Sequence, residues 1–504
     1  MLVIRLVSGP AGPDALVLPV RPGGPDSPDS PDSLASPDPT VSPASTARLV
    51  PTAVPLGDDV PAEAAAVLPA TRLTGAVGEV REHLRPGGSP ARLWLLGVGE
   101  GDERDWRTAG AALARAAKDE TQITIALPGE ATAALRGLAE GLLLGSYRFR
   151  LTEAGKRPAL AEVSVLVDDP DALAGTLDAA RATAETTRLA RDLTNMPSST
   201  KNPEWFAAQV AEAASGRPGL HLRVRGPEEL AAEGFGGLLA VGGGSASGPR
   251  LVELDWRPDG ARTHVVLVGK GITFDTGGIS IKPVPAMKLM RKDMAGAAAV
   301  IAATLGAAEL RLPVRVTTLA PLAENMVSGS AFRPGDVIRH YGGLTSESTN
   351  SDAEGRLVLA DALAYAVREL KPDLLIDLAT LTGANAVALG KRHAALYSEN
   401  DALAAGLLDA ITAAGERAWR MPLADDYVEY LASEIADLHS SPAQGAGSVV
   451  AALFLREFTG DLRDRWAHLD MSAPSWSDDT HGELVKGATG WGVRGLLRWL
   501  ATLG

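Results

Sequence analysis

The chain of 504 residues is longer than one ordinary core supports, so two or more domains are expected. Its 45% hydrophobic and 22% charged content is that of a globular protein, and its net charge of −14 argues against nucleic acid or an anionic membrane as the main partner. The absence of cysteine excludes disulfides, thiolate metal sites and a thiol nucleophile, and is compatible with a reducing cytoplasm.

The start, MLVIRLVSGPAGPDALVLPV, has only short apolar pieces broken by Gly and Pro, and no signal peptide is expected from it. Residues 21–45 are rich in Pro, Asp and Ser and are expected to form a disordered surface insert. Alternation follows: strand Leu93–Val98, helix Trp106–Lys118, strand Gln122–Leu127, helix Ala131–Leu144 and strand Glu162–Val167. A long helical pattern, Asp171–Leu193, ends at Asn195, Met196 and Pro197. Strands are then expected at Leu220–Val224, Leu251–Asp255, His264–Val268, Val314–Leu319, Leu374–Ala379 and Arg465–Leu469. Helices are expected at Met294–Leu310, Leu357–Leu370, Ala402–Glu416 and Ser448–Phe458. The longest apolar run, Ala295–Ala308, is too short for a membrane span and reads as a buried helix. The expected fold class is therefore α/β in two domains. A smaller N-terminal α/β domain occupies residues 1–170, a linker helix 171–195, and a larger C-terminal domain 196–504, with a central mixed, mostly parallel sheet flanked by helices. Sites in such sheets gather at the carboxyl ends of strands, which points to the loops after Val268, Leu319 and Ala379.

Those loops hold the unusual residues. KGITFDTGGISIKP carries Lys270, Asp275 and Lys282; MRKDMAGAAAV carries Asp293; NSDAEGR carries Asp352, Glu354 and Arg356 at a helix mouth. Taken singly, each has an ordinary reading. Asp352 and Glu354 suit the first turn of a helix, Asp293 an N-cap and Asp275 a turn. Arginine outnumbers lysine 38 to 10, yet Lys270, Lys282, Lys288 and Lys292 fall within 23 residues. That clustering is either surface solvation and chance or a use for amines that a guanidinium cannot serve.

Four carboxylates brought together raise one another's pKa and need cations. Two divalent metals would resolve this and could activate a water while polarising a carbonyl or phosphoryl oxygen. Oxygen-rich ligation suits Mg, Mn or Zn. No HExxH occurs and none of the eight histidines lies in these motifs, so a His-based zinc site is not expected. GKG lacks the Walker spacing, and no Gly-x-Ser-x-Gly elbow is present.

In this order, VGKGITFDTGGISIKP, KDMAGAAAV, ENMVSGSAFRPGD, NSDAEGRLVLADAL and DLATLTGA closely resemble the leucyl (cytosol) aminopeptidase family. So do ARDLTNMPSS, VGGGSASGPRLVEL, AALFLREF and WAHLDM. The resemblance covers about residues 170–500, and the first 170 match that family's variable N-terminal domain only loosely. It implies a cytoplasmic metallopeptidase that removes the first residue of peptides with a free N-terminus, through a water bridging two divalent metals, Mn or Zn, with Mg and Co as further candidates. By motif match the ligands are Lys270, Asp275, Asp293, Asp352 and Glu354. Lys282 matches the lysine that polarises the scissile carbonyl, and Arg356 the arginine that holds a bicarbonate as general base. Met290, Thr380, Leu381 and Gly383 match positions that receive the first side chain or the peptide backbone, favouring Leu and Met. The resemblance also implies a homohexamer, and the charge and the short apolar runs imply no membrane partner. Some relatives bind DNA, which makes a regulatory DNA role the alternative, disfavoured by the charge of −14. A two-metal phosphoesterase is the third reading, against which the lysine arrangement argues. Departures from the family pattern fall at Ser330, Phe332, Gly343 to Thr345 and Ser351. None of them removes a ligand.

Overall fold

The computed structural model describes residues 2–9, 15–23, 47–56, 59–152 and 160–504. The chain divides into two compact units, residues 1–185 with 479–485 and residues 186–478 with 486–504. The expected insert at 21–45 lies outside the described residues from position 24 on.

The first unit is a sheet of β1 (Val3–Val7), β2 (Ala15–Arg21), β3 (Arg48–Leu49), β4 (Val80–Leu84), β5 (Arg92–Gly97), β6 (Gln122–Ala126) and β7 (Glu162–Leu166). Its order is β1-β7-β6-β2-β5-β4, with β3 paired to β2. Pairing is parallel except for β4 with β5 and β3 with β2. Its helices are α1 (Asp59–Thr71), α2 (Glu103–Ala116) and α3 (Ala131–Gly145). The Asp102 side chain caps α2 by accepting from the Asp105 amide at 2.7 Å. α2 and α3 approach through glycines: a Cβ on Gly137 or Gly141 would lie 2.1 Å from a carbonyl oxygen of α2 or its flank. Strand β2 escapes a pattern search because it contains Pro19. Its pairing with β6 ends at Val17, before the missing N–H. Helix α4 (Pro170–Asn195) follows.

The second unit opens with α5 (Pro203–Ala214), β8 (Leu220–Arg225), α6 (Pro227–Glu233), α7 (Gly236–Gly242), β9 (Arg250–Trp256), β10 (His264–Gly269) and β11 (Gly271–Asp275). It continues with α8 (Val284–Met287), α9 (Ala295–Glu309), β12 (Arg315–Asn325), β13 (Asp336–Arg339), β14 (Thr345–Ser348), α10 (Glu354–Tyr365), β15 (Leu374–Ala379) and α11 (Gly383–Leu389). Then come β16 (Ala394–Tyr397), α12 (Asp401–Ala413), β17 (Ala418–Arg420), β18 (Leu438–His439), α13 (Gly447–Arg456), β19 (Trp466–Asp470) and α14 (Val493–Leu500). The main sheet has the order β17-β16-β19-β15-β10-β12-β9-β8, and β11 pairs with the far half of β12. The centre, β19-β15-β10-β12, is parallel; β9, β8 and the β16–β19 pair are antiparallel. This is the mixed, mostly parallel α/β sheet that the alternation predicts.

Both faces of the sheet are covered. Val265 and Leu267 of β10 pack with α9 and α14, while Val266 and Val268 pack with α10 and α13, following the two-residue period of a strand. Two-sided burial explains why β10 reads as an unbroken apolar run. Helix α9 is buried nearly throughout, which its all-round Ala, Gly and Val composition permits. Among the described residues no helix is long and apolar enough to cross a membrane.

Two boundaries differ from expectation. Strand β12 does not end at Leu319 but continues to Asn325. Pro321 sits where β10, paired through Leu319, gives way to β11, paired from Leu322, so the ladder on that side is already interrupted. Helix α10 starts three residues before Leu357 and passes into a π-helical turn over Ala366–Leu370.

A Cβ on Gly296 of α9 would lie 2.2 Å from the Leu378 carbonyl oxygen of β15. Gly296→Ala is expected to lower stability by about 1–3 kcal/mol through overpacking, read as a drop in the urea midpoint at unchanged slope.

Candidate metal centre and substrate cavity

The central strands end at one place. Lys270 follows β10, its amide donating to Leu378 of β15 and its carbonyl accepting from Ala297 of α9, both at 2.9 Å. Its side chain crosses α10 at Gly355, where a Cβ would lie 2.4 Å from the lysine Cε. The Nζ then stands 2.8 Å from Asp293 Oδ2, 2.9 Å from Glu354 Oε1 and 3.0 Å from the Thr380 carbonyl. Glu354 opens α10, and Asp293 closes the 3-10 turn Met290–Lys292. The Thr380 hydroxyl, just past β15, donates to Asp293 Oδ1 at 2.7 Å.

Asp275 ends β11. Its Oδ1 accepts from the Asn325 side-chain amide and the Gly277 amide, each at 2.8 Å. Its Oδ2 faces Lys282 Nζ at 2.7 Å, and Lys282 also contacts Asp352 Oδ1. The intervening Thr-Gly-Gly turn needs φ of +86° at Gly277 and +63° at Gly278, and the Lys282 amide closes it on Thr276 at 2.8 Å. A Cβ on Gly277 would lie 2.9 Å from Asp352 Oδ1, so glycine lets the two loops meet.

Asp275, Asp293 and Glu354 are buried, and each offers an oxygen within 4.8 Å of the others. Asp352 joins them through Lys282 and remains partly exposed. Burial, with Glu354 and Asp275 as like charges, pushes the Asp293 carboxyl up to about 8 despite Lys270. Burial also raises Asp275 and Asp352. For Lys270 and Lys282 burial acts against the ammonium, but the surrounding carboxylates prevail and hold both above the usual lysine range. Four carboxylates thus face two ammoniums. Asp293 Oδ2, Glu354 Oε1 and Asp352 Oδ1 lie against those ammoniums, yet none is in hydrogen-bonding geometry. Oxygen donors of this kind, underbonded and in charge excess, fit divalent cations.

All five expected ligands and Lys282 line one cavity of about 410 Å³. Met290, Thr380, Leu381 and Gly383 line it too, beside apolar Leu289 and Ala386. Arg356 is not among the lining residues. It is buried in the first turn of α10, with Nη1 donating to the Ser440 carbonyl at 2.7 Å and Nε without a hydrogen bond among the described residues. Burial lowers its pKa to about 10, against the pull of Glu354 and Asp470.

Sequence reasoning missed the residues that hold this geometry. Asn325 joins Asp275 to the Ser351 carbonyl, at 2.8 and 3.0 Å. Asp470, at the end of β19, accepts from the Leu381 and Thr382 amides at 3.2 and 3.0 Å. Both lie in motifs quoted above, but their partners are set by strand register, not by local spacing. The departure at Ser351 keeps its loop tied, because the hydroxyl donates to the Gly277 carbonyl at 2.7 Å and accepts from the Ser280 amide at 2.8 Å. Phe332 is buried in the core beside α10, and the Ser330 hydroxyl donates to the Gly243 carbonyl at 2.7 Å.

The catalytic-domain model of the cytosol aminopeptidase family matches residues 188–497, and that family's N-terminal-domain model matches residues 46–153. The probable cytosol aminopeptidase of Chlorobium limicola is 45% identical over 438 residues, covering 81% of this chain and 86% of that protein. The probable cytosol aminopeptidase of Streptomyces coelicolor is 43% identical over 463 residues, covering 86% and 89%. Among solved structures, the bottromycin maturation enzyme BotP in complex with Mn superposes with a TM-score of 0.80 at 38% identity, covering 90% of this chain and 97% of that one.

Gly355→Ala is expected to push the Lys270 side chain out of place. Mn²⁺ affinity measured by calorimetry should fall about 10–100-fold while far-UV circular dichroism is retained.

Proposed function

The chain belongs to the cytosol aminopeptidase family, and on that premise we propose that it removes the N-terminal residue from peptides at a pair of divalent cations held by Lys270, Asp275, Asp293, Asp352 and Glu354. The observation that carries this reading is the convergence of four carboxylates and two lysines on one cavity at the carboxyl ends of the central strands. Such cations, Mn or Zn with Mg or Co as alternatives, would supply Lewis-acid polarisation of the scissile carbonyl and a water nucleophile of lowered pKa.

The protein's own groups do the rest. Lys282, anchored between Asp275 and Asp352, donates to the carbonyl oxygen as negative charge develops there. Thr380 holds Asp293, and Asn325 holds Asp275, so both carboxylates keep one orientation throughout. Arg356 presents a guanidinium whose Nε lacks an acceptor among the described residues; it would hold a bicarbonate, which would supply a proton acceptor beside the start of α10. The acidic floor receives the free α-amine of the substrate, which limits cleavage to the first residue. Met290, Leu289 and Leu381 offer the first side chain an apolar wall that favours Leu and Met, with discrimination of about 1–3 kcal/mol per methylene. A homohexamer in the cytoplasm completes the reading. Light scattering should give the mass of six chains.

Leucine para-nitroanilide should be hydrolysed with added Mn²⁺ or Zn²⁺ and spared after chelation. Asp352→Ala and Lys282→Ala should each lower kcat by at least about 10²-fold. Metal-independent turnover, or wild-type rates in both variants, would overturn the assignment.

A further inference from the structure

Four lysines line the cavity, and three have carboxylate partners: Lys270 with Asp293 and Glu354, Lys282 with Asp275 and Asp352, and Lys391 with Asp478. Lys292 differs. Among the described residues its Nζ has one acceptor, the Ser472 carbonyl at 2.7 Å, although an ammonium carries three donors. Burial lowers its pKa against the pull of Asp293, Asp470 and Asp478, none of which forms an ion pair with it among the described residues. Asp293 is taken by Lys270 and Thr380, Asp470 by the Leu381 and Thr382 amides, and Asp478 by Lys391. Ser472 is itself fixed, its hydroxyl donating to the Thr382 carbonyl at 2.6 Å. A half-buried cation therefore borders the space that Met290 and Leu381 line, with donors to spare.

We propose that Lys292 is a specificity-determining residue that pairs with a carboxylate on the side chain of the first substrate residue, so that the protein accepts N-terminal glutamate and aspartate as well as apolar residues. The methylenes of such a side chain would lie along the apolar wall and its carboxylate would meet Lys292, as a charge-assisted hydrogen bond in reduced solvent. This inference rests on the aminopeptidase reading and extends it from an apolar to a divided pocket.

The test compares kcat/KM for glutamate and leucine para-nitroanilides on the Mn²⁺-loaded protein. Lys292→Met should lower the glutamate-to-leucine ratio by about tenfold or more, the scale of one charge-assisted hydrogen bond. Lys292→Arg, which keeps the cation, should retain the greater part of the wild-type ratio. A ratio equal in wild type and Lys292→Met would overturn the inference, since Lys292 would then serve only to tie its turn to Ser472. So would an effect seen with the dipeptide Leu-Gly but absent with its C-terminal amide, which would assign Lys292 to the far carboxylate of short peptides. No release of either substrate by the wild type would instead strike the aminopeptidase reading, and this inference with it.

Discussion

Three buried carboxylates, Asp275, Asp293 and Glu354, with oxygens within 4.8 Å of one another, are the constraint on which the rest of the site depends. Such a cluster is unfavourable twice over, through lost hydration and through mutual repulsion. Lys270 and Lys282 offset part of this, each bridging two carboxylates. Removing one partner from a buried pair typically costs about 3–5 kcal/mol, because the other is left uncompensated. The fold must therefore deliver every charged group to its place. It does so by ending β10 and β15 side by side, then starting α9 and α10 within van der Waals reach of them. Gly296 and Gly355 mark the two closest approaches, where any side chain would strike the Leu378 carbonyl or the Lys270 stem. The small-residue composition of α9 is thus part of the site's construction.

Much of this was legible in the sequence. Strand β10 is an apolar run bounded by turn residues, as two-sided burial demands, and β15 and β19 are apolar within their lengths but for Asp377 and His468, which pair with each other. The acids and lysines stood out because they interrupt apolar stretches at strand ends. What stayed hidden depends on distance in sequence. Strand β1 is short, and β2 carries Pro19 within it. Proline also masked the far half of β12, and with it Asn325, which sits at that strand's end. Asp470 read as the last residue of a strand. Its role in shaping the loop after β15 appears only once β19 pairs with β15, Asp470 opposite Ala379. Arg356 was legible as a cation at a helix mouth, but its burial away from the cavity wall was not, because one helical turn carries Glu354 and Arg356 to different sides.

Lysine placement resolves an ambiguity that composition left open. In a chain with 38 arginines, solvation alone would not require lysine at 270, 282, 288 and 292. Three of these line the candidate site's cavity, while Lys288 borders a neighbouring one. A fifth, Lys201, shows the other extreme. Its fully buried Nζ donates to the Thr194 and Arg291 carbonyls at 3.0 and 2.6 Å, with Met294 Sδ at 3.1 Å. Surrounded by neutral acceptors, its pKa is driven well below the usual lysine value by burial and by Arg291, whereas Lys270, equally buried among carboxylates, is driven above it. The same side chain therefore fills two roles. One is a tie between the end of α4 and the turn bearing Met290 and Lys292; the other is a charge that makes a carboxylate cluster tolerable. The slender Lys270 stem runs against Gly355, and the compact Lys201 head reaches both the Thr194 and Arg291 carbonyls. The neighbouring charge thus decides what each of these two buried lysines does.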